Sequence, residues 1–269
     1  MFYLGIDGGG SGCRAALADA GGTVIARAEG GPANIASDYP GALRSLLAVA
    51  EQVAQGRAVR AVLGLAGANL SGAAGRLERD LPFPARVVQD VTTSVRGALG
   101  PADGIVAAIG TGSVFARQQG GRVTAIGGWG LRLGDEASGG WIGQRLVARV
   151  TRGLDGFVPM TPLLQALAEE LGGPAGIVAF SLRATPPDWA AFAPRALEND
   201  PAAQAVRAEA EAEIRAAIGL LQTRPVLPVT WLGGLGPRLA LDDWPQRAAL
   251  GTALDGALAL AREDMTWTS

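Results

Sequence analysis

The chain has 269 residues, 48% of them hydrophobic and 18% charged, with a formal net charge of -2 and one cysteine. Those are globular values with room for one large or two modest domains; the charge disfavours nucleic-acid phosphates, and a lone cysteine rules out an intrachain disulfide. Histidine is absent, which removes histidine bases, Ser-His triads and His-ligated zinc, and leaves carboxylates, hydroxyls, backbone amides and a borrowed metal for any chemistry.

Residues 1–20 lack the basic start and apolar core of a signal peptide. No apolar run approaches the ~20 residues of a membrane span. A cytoplasmic protein without membrane or nucleic-acid partners is expected. Phe2-Tyr3-Leu4 and Ile6 suit a buried strand. It ends at Asp7, followed by Gly8-Gly9-Gly10-Ser11-Gly12, and Arg14 to Ala18 resumes an apolar run. Glycine tolerates positive φ and close backbone approach, and consecutive amides in such a turn form an anion nest. A carboxylate beside a phosphate cradle points to a metal ion or metal-bound water between the two. The competing reading is a plain hairpin turn with Asp7 as a turn former. The Asp19-Ala20-Gly21-Gly22 turn then closes a meander over residues 2–28.

Asn34, in the loop Gly30-Gly31-Pro32-Ala33-Asn34, suits a left-handed turn position. Apolar spacing through Leu43, Leu46, Leu47, Val49 and Val53 predicts an amphipathic helix over 40–55. A strand over 59–65, a helix over 72–80 and a short strand over 86–89 follow, an alternation that indicates an α/β sheet. Asp90 comes directly after that strand. It reads either as the N-cap of the next helix or as a base projecting from a strand end into a cleft. The breaker cluster from Leu99 to Gly104 is the best boundary, giving domains at 1–100 and 101–269. Strand 105–109, the turn Gly110-Thr111-Gly112-Ser113, strand 113–119 and the Gly120-Gly121 hairpin repeat the layout of residues 2–28. The loop 127–140 holds six glycines, Trp129, Asp135 and Glu136. A tryptophan among glycines has little to pack on, and a wall for an apolar sugar face is the alternative. Asp135 and Glu136 precede a helix over about 137–152, whose positive end they favour. Residues 160–222 read as helices, and Val206, Ala210, Ile214 and Ile218 form the buried stripe of the last of them. Val229 to Leu232 leads into Gly233-Gly234-Leu235-Gly236, and a final helix spans about 251–262.

Three strand-to-glycine turns in one chain suggest a nucleotide gripped from several sides. No GxxxxGK[ST] occurs and no lysine follows these turns, so this is no P-loop. The first turn runs into a strand instead of a helix, so the dinucleotide fingerprint fails too.

In their order, DGGGSG, GPAN, QD, GTGS, GGWG-x-x-x-GDE and GGLG resemble the BadF/BadG/BcrA/BcrD-type ATPase family in its N-acetylglucosamine and glucosamine kinase branch. That branch belongs to the actin–hexokinase–Hsp70 superfamily. The resemblance covers nearly the whole chain and is most specific from Gly127 to Glu136. It implies two ribonuclease H-like α/β domains of the actin/hexokinase type flanking a nucleotide cleft, with the final helix returning to the N-terminal domain, and a homodimer. It implies ATP and Mg²⁺ as cofactors and an amino sugar as acceptor: N-acetylglucosamine, converted to its 6-phosphate, or alternatively glucosamine. Residue by residue, Asp90 becomes the catalytic base. Asn34, Asp90, Thr111, Gly128, Trp129 and Asp135 become the sugar contacts. Gly9, Gly10, Ser11, Gly110, Thr111, Gly112, Ser113, Gly233, Gly234 and Leu235 fall to ATP, with hydroxyl donors from Ser11 and Ser113, and Asp7 holds the metal through water.

The chain departs from that pattern at the first turn. Relatives carry Thr-Lys-Thr where Ser11-Gly12-Cys13 stands, so the lysine charge has to come from elsewhere, and Arg14 is the nearest candidate. Cys13 reads as a packed thiol. An ATPase that activates a radical enzyme would need cysteines for a cluster shared between subunits, and only Cys13 is present. A sugar sensor fused to a DNA-binding domain is disfavoured by the charge and by a first strand that begins at residue 2.

Overall fold

The computed structural model describes residues 1–69 and 72–263. Its chain divides into one unit of Met1–Asp103, Gln118–Val123 and Ala248–Ser269, and a second of Gly104–Arg117 and Thr124–Arg247.

The first unit is built on β1 (Phe2–Gly8), β2 (Cys13–Ala18), β3 (Val24–Gly30), α1 (Tyr39–Ala54), β4 (Val59–Leu65), α2 (Ala73–Asp80), β5 (Ala85–Gln89) and α3 (Asp90–Leu99). The sheet order is β3-β2-β1-β4-β5. β2 pairs antiparallel with β1 and β3, whereas β4 runs parallel to β1 and β5. Side chains alternate across the pleat. Leu4, Ile6, Ala15, Leu17, Leu63 and Leu65 therefore share one buried cluster with Leu46 and Val49 of α1 and Leu77 of α2. The opposite parity, Ala16 and Ala18, packs against Leu254 and Leu258 of a helix that closes the described chain, Ala253–Arg262.

That helix meets α3 and β1 backbone to backbone. A Cβ on Gly256 would stand 2.0 Å from the Thr93 carbonyl oxygen, one on Gly97 1.8 Å from that of Thr252, and one on Gly5 2.8 Å from the Leu258 amide nitrogen. Glycine is required here by space. Arg96 of α3 adds an ion pair to Glu263 and a hydrogen bond to the Gly100 carbonyl at 3.0 Å.

The second unit contains β6 (Gly104–Ile109), most of β7 (Ser113–Gln119) and β8 (Arg122–Gly127), α4 (Gly139–Leu154), α5 (Pro162–Glu170), α6 (Gly173–Ser181), α7 (Pro186–Ala190), α8 (Pro201–Leu221) and β9 (Val229–Leu232). Its sheet order is β8-β7-β6-β9, with β6 parallel to β9. Ile105 and Ile109, Ile142 and Leu146 of α4 and the Val206-Ala210-Ile214-Ile218 stripe of α8 make its core. The helix closing the chain follows as α9 (Ala253–Arg262). Among the described residues no helix is long and apolar enough to cross a membrane.

Candidate active site

In the first unit, the carboxyl ends of the parallel strands collect the polar groups. Asp7 lies opposite Gly64 of β4, and Gln89 of β5 lies opposite Leu65, so Asp7 and Asp90, which follows Gln89, stand at strand ends on either side of β4, where open α/β sheets bind ligands. A pocket of about 490 Å³ opens there, lined among others by Asp7, Gly9, Ser11, Gly12, Arg14 and Asp90.

The first glycine turn closes on itself, with the Gly9 amide donating to the Gly12 carbonyl at 2.9 Å. This leaves the amides of Gly10, Ser11 and Gly12 without partners among the described residues. Of the two properties glycine brings to such a turn, positive φ is not used, because none of Gly8, Gly9, Gly10 and Gly12 adopts it. A Cβ on Gly9 or Gly10 would meet nothing within 4 Å. Glycine there clears space on the open side of the turn, where a ligand can approach the backbone. Gly9 also accepts from the Ala33 amide at 2.9 Å, which ties the Asn34 loop to the turn. Asn34 itself is a turn former: its Oδ1 accepts from the amides of Ala36 at 2.9 Å and Ser37 at 3.3 Å. Only its Nδ2 is left to meet a ligand.

Asp90 is not the N-cap. Gln89 holds that position, and Asp90 is the first residue of α3, with one carboxylate oxygen accepting from its own neighbour, the Val91 amide, at 2.8 Å. The second oxygen is free to work. Asp90 is exposed at the pocket, yet the walls withdraw enough water to raise its pKa against the opposing amides of Val91 and Asp90. Burial raises Asp7 as well, with Arg14 pulling it down and Asp90 pushing it up. Glu29 and Ser94 also line the pocket. Neither was singled out in the sequence. The signal for Ser94 was its i+4 spacing from Asp90, which puts both on one face of α3.

In the second unit the Gly110 turn is built the same way. Its amide donates to the Gly112 carbonyl at 2.9 Å, and the amides of Thr111 and Gly112 have no partner among the described residues. The carbonyls of Gly110 and Thr111 accept from Gly139 at 2.8 Å and Gly140 at 3.0 Å. These are the first amides of α4, whose N-cap Ser138 accepts from Trp141 at 3.1 Å, so the positive end of the helix backs the turn. The helix starts two residues later than expected and leaves Asp135 and Glu136 outside it. Asp135 is buried, with φ +60, a backbone state uncommon outside glycine and frequent at functional sites. One of its oxygens accepts from the Gly130 amide at 3.0 Å. The other would stand 2.8 Å from a Cβ on Gly112. Burial raises the Asp135 pKa, opposed by that amide and assisted by Glu136. Among the described residues, Asp7, Asp90 and Asp135 are the carboxylates whose pKa is raised.

Two expectations change. The Ser113 hydroxyl is no phosphate donor, since it is buried and donates to the Glu136 carbonyl at 2.7 Å, so it ties the acidic loop to β7. Leu235 is a core residue whose amide bonds the Ile109 carbonyl at 3.0 Å. Gly233, at φ +81, could not carry a Cβ, which would stand 2.3 Å from that same oxygen. Gly234, with nothing within 4 Å, is the open position of this turn. Trp129 follows Gly128, at φ +71, and is 71% exposed; it contributes little to the core.

Set beside known proteins, residues 4–224 match the model of the BadF/BadG/BcrA/BcrD ATPase family. The glucosamine kinase GspK of Vibrio cholerae is 29% identical over 258 residues, covering 90% of this chain and 87% of that one. A crystal structure from Chromobacterium violaceum, provisionally assigned as an N-acetylglucosamine kinase, superposes with a TM-score of 0.86 at 33% identity, over 97% of this chain and 99% of its own. A glucokinase of the ROK family from Streptomyces griseus, solved with glucose and AMPPNP, shares the fold at a TM-score of 0.60 and 19% identity, over 97% and 99% of the two chains.

Proposed function

The chain belongs to the BadF/BadG/BcrA/BcrD ATPase family, and on that premise we propose that it transfers the terminal phosphoryl group of ATP to a hydroxyl of an amino sugar. The fold is the actin/hexokinase-type α/β fold of the sugar kinases it superposes on. The observation that carries the proposal is the shared pocket of the first unit: an open glycine turn with free amides, and Asp90 with one unengaged oxygen and a raised pKa. Phosphoryl transfer asks for positioning and charge neutralisation more than for covalent chemistry, and this chain offers amides and carboxylates for both.

In this reading the amides of Gly10, Ser11 and Gly12 receive phosphate oxygens. The free oxygen of Asp90 orients the sugar hydroxyl and accepts its proton, and its raised pKa makes it a stronger base than an ordinary aspartate. The second unit, taken by itself, offers the amides of Thr111 and Gly112 and the open backbone of Gly234 to a nucleotide, and Asp135 and Trp129 as a hydrogen-bonding group and an aromatic face to a sugar. Asp7 is the residue that would hold Mg²⁺. Its carboxylate accepts no hydrogen bond among the described residues, and no cluster of three or more acidic, Cys or His side chains able to hold a metal is found among them. That fits an ion keeping most of its waters, which supplies charge neutralisation at the phosphates when bound.

N-acetylglucosamine, phosphorylated at its 6-hydroxyl, is the acceptor proposed first. Glucosamine is the second reading, favoured by the Vibrio relative. A homodimer and a cytoplasmic setting belong to the same proposal. A coupled ADP-release assay with Mg-ATP across N-acetylglucosamine, glucosamine, other amino sugars and plain hexoses tests the reaction and separates the two sugars. ADP release that no sugar stimulates would refute it.

A further inference from the structure

The chain contains no lysine, so all 23 of its Lys and Arg residues are arginines. Any side-chain cation that meets a phosphate has to be a guanidinium. In the first unit, Arg14 lines the pocket of the glycine turn. Its place follows from the strand: Cys13 and Ala15 on either side are buried at 3% and 0% exposure, so the pleat turns Arg14 to the opposite face, the one that α9 covers at Ala16 and Ala18. Arg14 is exposed at the end of that row, in the pocket. Across the sheet it is the direct partner of Asp7 on β1 and of Glu29 on β3. The three form one row, and all three line the pocket. Among the described residues the Arg14 guanidinium makes no hydrogen bond and no ion pair; its interaction with Asp7 is electrostatic at longer range.

The pocket thus carries one positive side chain against the carboxylates of Asp7, Glu29 and Asp90. Polyanion binding at such a site depends strongly on that single cation, because amides alone face three like-charged neighbours. The register partners of Arg14 on both sides are carboxylates, and with its donors unengaged the guanidinium can take phosphate oxygens in a bidentate fork.

We infer that Arg14 is the phosphate-binding cation of this pocket, standing in register between Asp7 and Glu29 and engaging the terminal phosphates of a nucleotide. The inference rests on the kinase reading for the identity of the nucleotide, but not for the binding of a polyphosphate. Calorimetry with Mg-ATP, Mg-tripolyphosphate and adenosine on the wild type, Arg14→Ala and Arg14→Lys tests it, with thermal melts as a control. For Arg14→Ala we expect Mg-ATP and tripolyphosphate to bind about 10- to 100-fold more weakly, the scale of a lost charge-assisted hydrogen bond, with adenosine unchanged. Arg14→Lys should fall between, since it keeps the charge and loses the fork. ATP affinity within twofold of wild type in Arg14→Ala overturns the inference, as does an equal loss for adenosine, which would mark a structural role. Arg14-dependent tripolyphosphate binding in a protein that phosphorylates no sugar would uphold the inference and refute the kinase reading. A wild type that binds neither polyphosphate nor ATP overturns both.

Discussion

Replacing Asp90 by Asn tests the proposed base most directly. The side chain lies on a fixed backbone: the Thr93 hydroxyl donates to the Asp90 carbonyl at 2.9 Å, and Thr93 in turn packs into the space left by Gly64 and Gly256. In the variant the amide oxygen can keep the 2.8 Å bond from Val91. The amide nitrogen then occupies the working position, presenting a donor where the sugar hydroxyl needs an acceptor. Loss of a general base costs ~10²–10⁴-fold, or roughly 2.7–5.4 kcal/mol at ~1.36 kcal/mol per decade. We therefore expect kcat to fall by at least ~10²-fold with a much smaller change in sugar affinity. The pH profile adds a sign. Burial raises the Asp90 pKa, so wild-type kcat should fall on the acid side at a higher pH than an ordinary aspartate near 3.9 would set, and the residual rate of the variant should lack that limb. Stability moves little. A first-turn carboxylate gains roughly 0.3–1 kcal/mol from the helix dipole, while a raised folded pKa means the group adds stability only at low pH and loses it as pH rises through the shifted value. At neutral pH these oppose, so the melting temperature should stay within roughly 4 °C. Stopped-flow or coupled kinetics with thermal melts measure all of this. Near-normal kcat, or a loss of kcat that tracks a large drop in melting temperature, refutes the assignment of Asp90 as base.

Trp129→Ala should raise the sugar KM and leave the ATP KM and the melting temperature nearly unchanged, because a 71% exposed ring contributes uniform binding and little packing; an early melt with normal KM would contradict this. Gly256→Ala should destabilise by roughly 1–3 kcal/mol from overpacking, since its Cβ would stand 2.0 Å from the Thr93 carbonyl oxygen, and kcat measured well below the melt should also fall because α3 carries Asp90. A chelator should abolish turnover. Asp7→Asn should shift the Mg²⁺ dependence to higher concentration; turnover independent of added metal counts against Asp7 as its anchor.

Local pattern made much of the fold legible. Leu43, Leu46, Leu47, Val49 and Val53 marked a helix over 40–55, observed as Tyr39–Ala54, and strand–glycine–strand punctuation located the hairpins at both turns. Turn chemistry was partly misread. Nothing in DGGGSG says that its glycines keep ordinary φ and serve by leaving space, because that depends on what surrounds the turn. Ser113 and Leu235 resembled ligand contacts by motif alone, but strand parity and the core claimed their side chains, which only the packed neighbours reveal. The first stretch of the first unit ends at Asp103, within the breaker cluster from Leu99 to Gly104. That residues 118–123 pack with the first unit rests on Gln118, whose amide donates to the carbonyls of Gly100 and Ala102 at 2.8 Å each, a contact with no local signature.

The glycine-lined seat of α9 has a consequence for how the protein is made. The first unit has its strands, its glycine turn and Asp90 in hand once residue 103 is synthesised, but its closing helix begins at Ala253. At ~5–20 residues per second, the intervening 150 or so residues take roughly 8–30 s on the ribosome. Throughout that interval Gly5, Ala16, Ala18 and the glycine face of α3 await their partner, and the nascent chain presents an unfinished apolar sheet to whatever is near. We expect chaperone engagement to concentrate in that window. A message truncated anywhere in the second unit should then yield a product cleared by proteolysis, with the pocket of Asp7 and Asp90 never brought to its working shape.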